Sequence, residues 1–407
     1  MIESFKNRNY RYLWGSVSIL HWAEYMELVI LSWFILAESN SPLILGIYGA
    51  LRFGGTLIAP VIGLIADTVG RKKMLITVRI SFLLNSIVGL SLSILGILNV
   101  WKILIMAAFL GLSKTSEMIV RQSLVPDILK KSQVKNGVAL ERAGSDLSQI
   151  FAPIIGGFLL SFSGMSVSYA MVAIFYATST IASVMITIDP PEQFYTRRKN
   201  TRGINLLTNV FEGIKYVAKM PHLSSLMTLA VIINLTAFPL YFSLTAVVAK
   251  EILETTSGGL GILLGIYSAG AATGSIAMGG NLYQEQKGRL LVIGSIIWHI
   301  TVFIMALVNS ENLAYPILFV SGFGQSVTVV LMASMILDMT PTELRGRIMG
   351  LRQLAVGALP FGLTISGLLA ENVGIGTTLI LNGIVGLVLI AVTLIIWPQL
   401  LHREKFL

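Results

Sequence analysis

The chain has 407 residues, is 55% hydrophobic and only 12% charged, and carries a formal charge of +9. A soluble globular chain is about 25% charged, so the composition excludes a soluble enzyme, a disordered tail and a disulfide scaffold, and points to a polytopic membrane protein. The complete lack of Cys excludes disulfides, thiol chemistry and Cys-ligated zinc.

Apolar runs punctuated by charge, Pro and Gly predict twelve membrane-spanning helices, each needing roughly 20 apolar residues. Six fall in the first half, at 12–36, 43–66, 74–98, 101–122, 137–162 and 165–188. No cleavable signal is expected, because MIESFKNRNYRY runs directly into a first span too long for a signal peptide. A polar stretch from Asp189 to His222 follows, with Phe211, Ile214 and Val217 near one face of a candidate surface helix. Six more spans are predicted at 223–249, 258–281, 289–308, 314–338, 346–370 and 374–398. The expected organisation is an all-α membrane protein of two six-helix bundles, 1–188 and 223–407, joined by a linker at 189–222.

With the N-terminus inside, all but four of the 29 Lys and Arg fall in inner loops or inner helix ends. Lys102 and Lys250 lie outside, and Arg52 and Lys114 lie within spans. This bias predicts both termini in the cytoplasm and the plasma (inner) membrane as location. It also explains the basic charge without a nucleic-acid partner. The halves echo each other: the loops after spans four and ten each lead into a Pro-containing helix, with Pro153 and Pro360. Repeats of this kind suggest halves that rock about a central site.

Between spans two and three stands GLIADTVGRKK, from Gly63 to Lys73. It resembles the G-x-x-x-D-x-x-G-R-R/K signature of the major facilitator superfamily. Gly63 allows a close helix approach. Asp67 suits the positive end of a neighbouring helix dipole, which in the family is the eleventh helix, here beginning near Arg345. Gly70 and Arg71 complete the motif, and the resemblance implies an Arg71 pair with Asp127 at the end of span four. NRNYRYLWG, SPLILGIYGALRF, RQSLVPDIL and the Pro341–Gly350 stretch are together similar to the drug:proton antiporter branch, with its enterobactin-type exporters and macrolide efflux proteins. Pro153, Gly156 and Gly157 resemble that branch's fifth-span motif, with Ala152 replacing its first Gly. The branch's fourth-span arginine motif is not evident, and Lys114 does not align well with it.

Ionisable groups inside spans are functional candidates by default. His21, Glu24 and Glu27 recur every three residues, on one broad helix face. Arg52 in span two is expected to pair with one acid, leaving the other available for a proton or a cationic substrate. A permanent structural ion pair is the competing reading. Near the inner ends of spans four and five, Lys114, Glu117, Glu141, Arg142 and Asp146 are expected to form a gate network. Lys114 and Glu117 can pair within their helix, and Asp146 is a further proton-carrying candidate. Asn234, Tyr267, Gln325 and Asn382 are read mainly as interhelical hydrogen-bonding residues, and His299 as a packed one. His222 and His402 are placed at the surface.

No nucleotide-binding, zinc-protease or nucleophile-elbow motif is present. No cofactor and no metal are expected, and the reading is a transporter, not an enzyme. Its expected partners are a small-molecule substrate, protons and the lipid bilayer, and it is expected to be monomeric. Export of amphipathic molecules against proton influx is the leading expectation. Uptake by symport and a lipid-like substrate are the alternatives. Asp67→Asn should impair transport while leaving membrane insertion intact; normal transport by a well-expressed variant would refute the contact of Asp67 with the eleventh helix.

Overall fold

The computed structural model describes residues 2–59, 62, 69–187, 214–279, 286–341 and 345–401. Gly63, Asp67, most of the 189–222 linker and His402 therefore lie outside the described residues. The helices are α1 (Arg8–Ser39), α2 (Pro42–Phe53), α3 (Arg71–Ile94), α4 (Val100–Ile128), α5 (Lys131–Val184), α6 (Pro221–Thr236), α7 (Thr245–Glu251), α8 (Ser257–Met278), α9 (Lys287–Met305), α10 (Glu311–Asp338), α11 (Arg345–Val356), α12 (Leu359–Val373) and α13 (Ile375–Ile396).

Ten helical stretches among the described residues are long and apolar enough to cross a membrane. One of them, within α5, is two helices joined at Gly164, whose φ of 75° lies in the left-handed region that glycine tolerates. A shorter apolar helix at Pro42–Ile58 tightens to a 3-10 turn over Gly54–Ile58. The seventh predicted span is α6, a π-helical turn at Leu240–Leu244 after Pro239, and α7. The eleventh predicted span is interrupted between α11 and α12, and Pro360 stands in the first turn of α12, where a missing backbone N–H costs no helical bond. The fold is all-α, as its period and apolar run lengths dictate.

Contacts divide the chain into two compact units. The first holds Met1–Phe34, Leu51–Leu206 and Ser257–Gly261; the second holds Ile35–Ala50, Leu207–Thr256 and Ile262–Leu407. In the first unit, α1 is tied to the first limb of α5 by donors onto backbone. Tyr10 Oη donates to the Gly137 carbonyl (2.7 Å) and Trp14 Nε1 to that of Leu140 (2.9 Å). Ser179 Oγ, on the second limb, donates to the Ser16 carbonyl (2.7 Å).

Segment 257–261 joins the first unit through glycines. A Cβ on Gly157 would meet the Ser257 carbonyl, and one on Gly261 would meet that of Pro153. Gly156 sits against Met26 of α1 in the same way. Small residues let backbones approach closely where lipid offers no hydrophobic drive for association. In the second unit, Asn382 of α13 donates to Ser366 of α12 (2.9 Å), as an interhelical bond. Asn234 instead donates to the Ala230 carbonyl of its own helix (2.7 Å). His299 is packed, with Thr236 at 2.8 Å and the Ser295 carbonyl at 2.7 Å on its two ring nitrogens.

Overpacking a tight core costs about 1–3 kcal/mol. Gly157→Ala should therefore lower the apparent Tm of the detergent-purified chain. Gly15→Ala, where nothing lies within 4 Å of the added carbon, should not.

Candidate functional site in the first helical unit

The acids of α1 are met by cations from two other helices, Arg52 of α2 and Lys114 of α4. Glu27 is fully buried, and both its oxygens accept phenol protons: Tyr169 Oη at 2.6 Å and Tyr176 Oη at 2.8 Å. Arg52 Nη1 stands 3.9 Å from Glu27 Oε2, and Arg52 Nη2 donates to the Glu24 carbonyl at 2.7 Å. A charge taken from water needs both a counter-charge and filled hydrogen-bonding positions. Glu27 has both.

Glu24, one helical turn away, has a looser partner. Lys114 Nζ lies 3.8 Å from its Oε1, and the lysine is 27% exposed. The same ammonium sits 5.1 Å from the centre of the Phe53 ring, at cation–π distance. The expected pairing of Lys114 with Glu117 on α4 is thus replaced by a pairing across helices. Glu117 is already engaged by two arginines, Arg79 Nη2 at 3.0 Å and Arg121 Nε at 3.2 Å. Arg121 Nη1 continues the chain to Glu141 Oε2 at 3.0 Å. The alternating series Arg79–Glu117–Arg121–Glu141 bridges α3, α4 and α5. Glu141 is buried.

Asp146 is not brought to the α1 acids by any of these contacts. It pairs with Arg142 one turn earlier on α5, at 2.9 Å, and that arginine is half-exposed. Arg71, at the start of α3, meets Asp127, near the end of α4, at 2.6 Å. Gly70 precedes α3 with φ of 100°, a backbone shape that explains glycine at that place in the motif. The second unit repeats this arrangement: Lys287 at the start of α9 meets Asp338 at the end of α10 at 2.7 Å.

Three functional candidates escape the sequence reading. Arg79 looks like an extension of the basic cluster Arg71-Lys72-Lys73, yet it is completely buried. Its place eight residues into α3, about 12 Å along the axis, is the available signal. Tyr169 and Tyr176 are seven apart, two turns on one helix face, but only the contact with Glu27 distinguishes them from ordinary membrane tyrosines.

Fold and site together define a major facilitator transporter. Residues 2–405 match the family model described as "Transmembrane secretion effector", and the chain belongs to that family. The chain is 22% identical over 394 residues to the multidrug efflux pump Tap of Mycolicibacterium fortuitum, covering 92% of each. It is 25% identical over 360 residues to a multi-drug resistance efflux pump PmrA homolog of Lactococcus lactis, covering 86% of this chain and 82% of that one. It is 22% identical over 313 residues to the enterobactin exporter EntS of Shigella flexneri, covering 74% and 69%. Among solved structures, a POT family transporter in complex with 5-aminolevulinic acid superposes with a TM-score of 0.76 at 13% identity, covering 97% of each chain. A bacterial homolog of the human lysosomal transporter Spinster gives 0.70 at 13% identity, covering 98% and 99%. These likenesses carry the fold.

Removing one member of a buried pair leaves the other uncompensated, at about 3–5 kcal/mol. Glu27→Gln should therefore lower the apparent Tm strongly, because Arg52 stays buried. Glu24→Gln should lower it much less, because Lys114 is partly exposed. Equal shifts in thermal unfolding of the two variants would erase the distinction between the acids.

Proposed function

We propose that the chain is a proton-coupled exporter of amphipathic small molecules, working by alternating access in the plasma (inner) membrane with both termini in the cytoplasm. The reading takes the spans as twelve, in two six-helix halves, 1–188 and 223–407. Ten long apolar helices, one of them bent into two at Gly164, and the shorter Pro42–Ile58 helix support that count.

The observation that carries coupling is the contrast between Glu27 and Glu24. Glu27 is saturated by two phenols and Arg52, so it acts as a brace. Glu24 is held by one partly exposed lysine at 3.8 Å. At that separation and an effective dielectric near 20, the attraction is about 4 kcal/mol. A proton on Glu24 forfeits this attraction and frees Lys114; a cationic group on a substrate competes for the same carboxylate. Proton and substrate thus exclude each other at one site, which is the requirement for exchange. Arg52 tunes the pair through the Glu24 carbonyl. Arg71, Asp127 and the motif residues Gly63, Asp67 and Gly70 serve the inner gate, with Asp146 and Arg142 beside it. Pro153, Gly156 and Gly157 shape the opposite seal. Relatives named as multidrug efflux pumps and an enterobactin exporter support the direction and the substrate class.

The test is efflux of dyes, macrolides and labelled siderophores from cells lacking their own exporters, with and without a protonophore. Wild type should show uncoupler-sensitive efflux, which Glu24→Gln should abolish at normal expression. Efflux that persists unchanged in Glu24→Gln would remove the acid from the coupling step. Energised accumulation in place of efflux would turn the reading to uptake.

A further inference from the structure

The turn between α1 and α2 is held by two charged side chains that lie far along the sequence, in the second unit, which also contains the turn itself. Lys250, at the end of α7, donates through Nζ to the Leu36 carbonyl in the last turn of α1 and to Asn40 Oδ1 (2.7 Å). Asn40 takes a left-handed φ of 50° to leave the helix. On α12, Glu371 accepts through Oε2 from the Ser41 hydroxyl and from the Leu43 N–H (3.0 Å) in the first turn of α2. A cation thus sits on a helix C-terminus and an anion on the next helix N-terminus, each complementing free backbone groups and the helix dipole.

Beside these contacts lies a seam of backbone on backbone. A Cβ on Gly46 would meet the Leu363 carbonyl, and one on Gly367 would meet the Pro42 carbonyl at 2.7 Å and Gly46 Cα at 3.1 Å. Leu363 is fully buried there, with its side chain against Gly49. Charged contacts at a water interface are individually weak, whereas a seam of this closeness resists separation only while its ends stay together. The combination suits a fastening that lets go, not a permanent brace.

We propose that Lys250 and Glu371 are positioning residues that clamp the α1–α2 turn, and that both must release for the bundle to open at the end that carries this turn. On the orientation proposed above this is the outer end, and the inference rests on that transport reading. The chain lacks cysteine, so a single Leu363→Cys reports the seam directly. Intact cells would be treated with a membrane-impermeant maleimide, with the clamp intact or altered by Lys250→Met, Glu371→Gln or both. Labelling should rise at least about fivefold in each single variant and further in the double. Glu371→Asp, which keeps the charge, should restore slow labelling, whereas a merely structural cap would change expression and Tm without changing the rate at Leu363→Cys. Unchanged labelling in the double variant would overturn the clamp.

A second arm replaces the clamp by a covalent one. Ser41→Cys with Glu371→Cys, joined by a short reductant-cleavable thiol cross-linker, should stop efflux and recover it on reduction. Full cross-linking with undiminished efflux would also overturn the clamp. Labelling reads the clamp without any substrate, so absence of efflux by wild type would strike the transport reading alone.

Discussion

A charge inside a membrane must be paired, and that constraint organises the first unit. Removing an ion from water costs several kcal/mol even after relaxation. Four buried acids, Glu24, Glu27, Glu117 and Glu141, are balanced by Arg52, Arg79, Lys114 and Arg121. The pairs run between helices, so they also fix which helices lie side by side and at what depth. Interlocking differs along the set. Glu27, Glu117 and Arg121 have several partners each, and one pair, Glu24 with Lys114, has room to exchange a partner.

The second unit answers the same constraint by avoiding charge. Its polar groups are neutral and mostly bond to their own helices, as Asn234, Ser295 and Thr328 do. Close glycine contacts supply the association, with Gly294 against Gly324 and Gly383 against Phe303. Aromatic rings fill the space between, including Phe238 edge-on to Trp298 at 4.9 Å and Tyr241 beside Tyr267 at 4.8 Å. Among the described residues of this unit, the ion pair of Lys287 with Asp338 repeats the Arg71–Asp127 arrangement.

The helices were legible because an apolar run of span length is too long and too continuous for the core of a soluble domain. Glu24 and Glu27 were legible for the complementary reason, since a carboxylate stands out in such a run. Partner identity was not. Lys114 and Glu117 are neighbours on one helix, and local geometry favours their pairing, but Arg79 and Arg121 arrive from other positions and take the glutamate. Arg79 itself was hidden by the basic cluster at the start of its helix. Lys250 reads only as an outer charge and Glu371 carries no mark, because the backbone they cap lies more than 200 residues away in sequence. The break between α11 and α12 was signalled by Pro360, while the π-helical turn at Leu240–Leu244 has no sequence mark beyond Pro239.

Gly164 joins the two limbs of α5 with a single left-handed residue and no intervening loop. Seven residues before it, Gly157 is pressed against the Ser257 backbone; five residues after it, Tyr169 grips Glu27. A flexible connection would let these two contacts vary independently. A one-residue elbow makes them ends of a short lever, so that a shift of the glycine-packed limb is delivered to the phenol that steadies the buried acid. Insertion of even a few residues at 164 would leave every contact available and uncouple them.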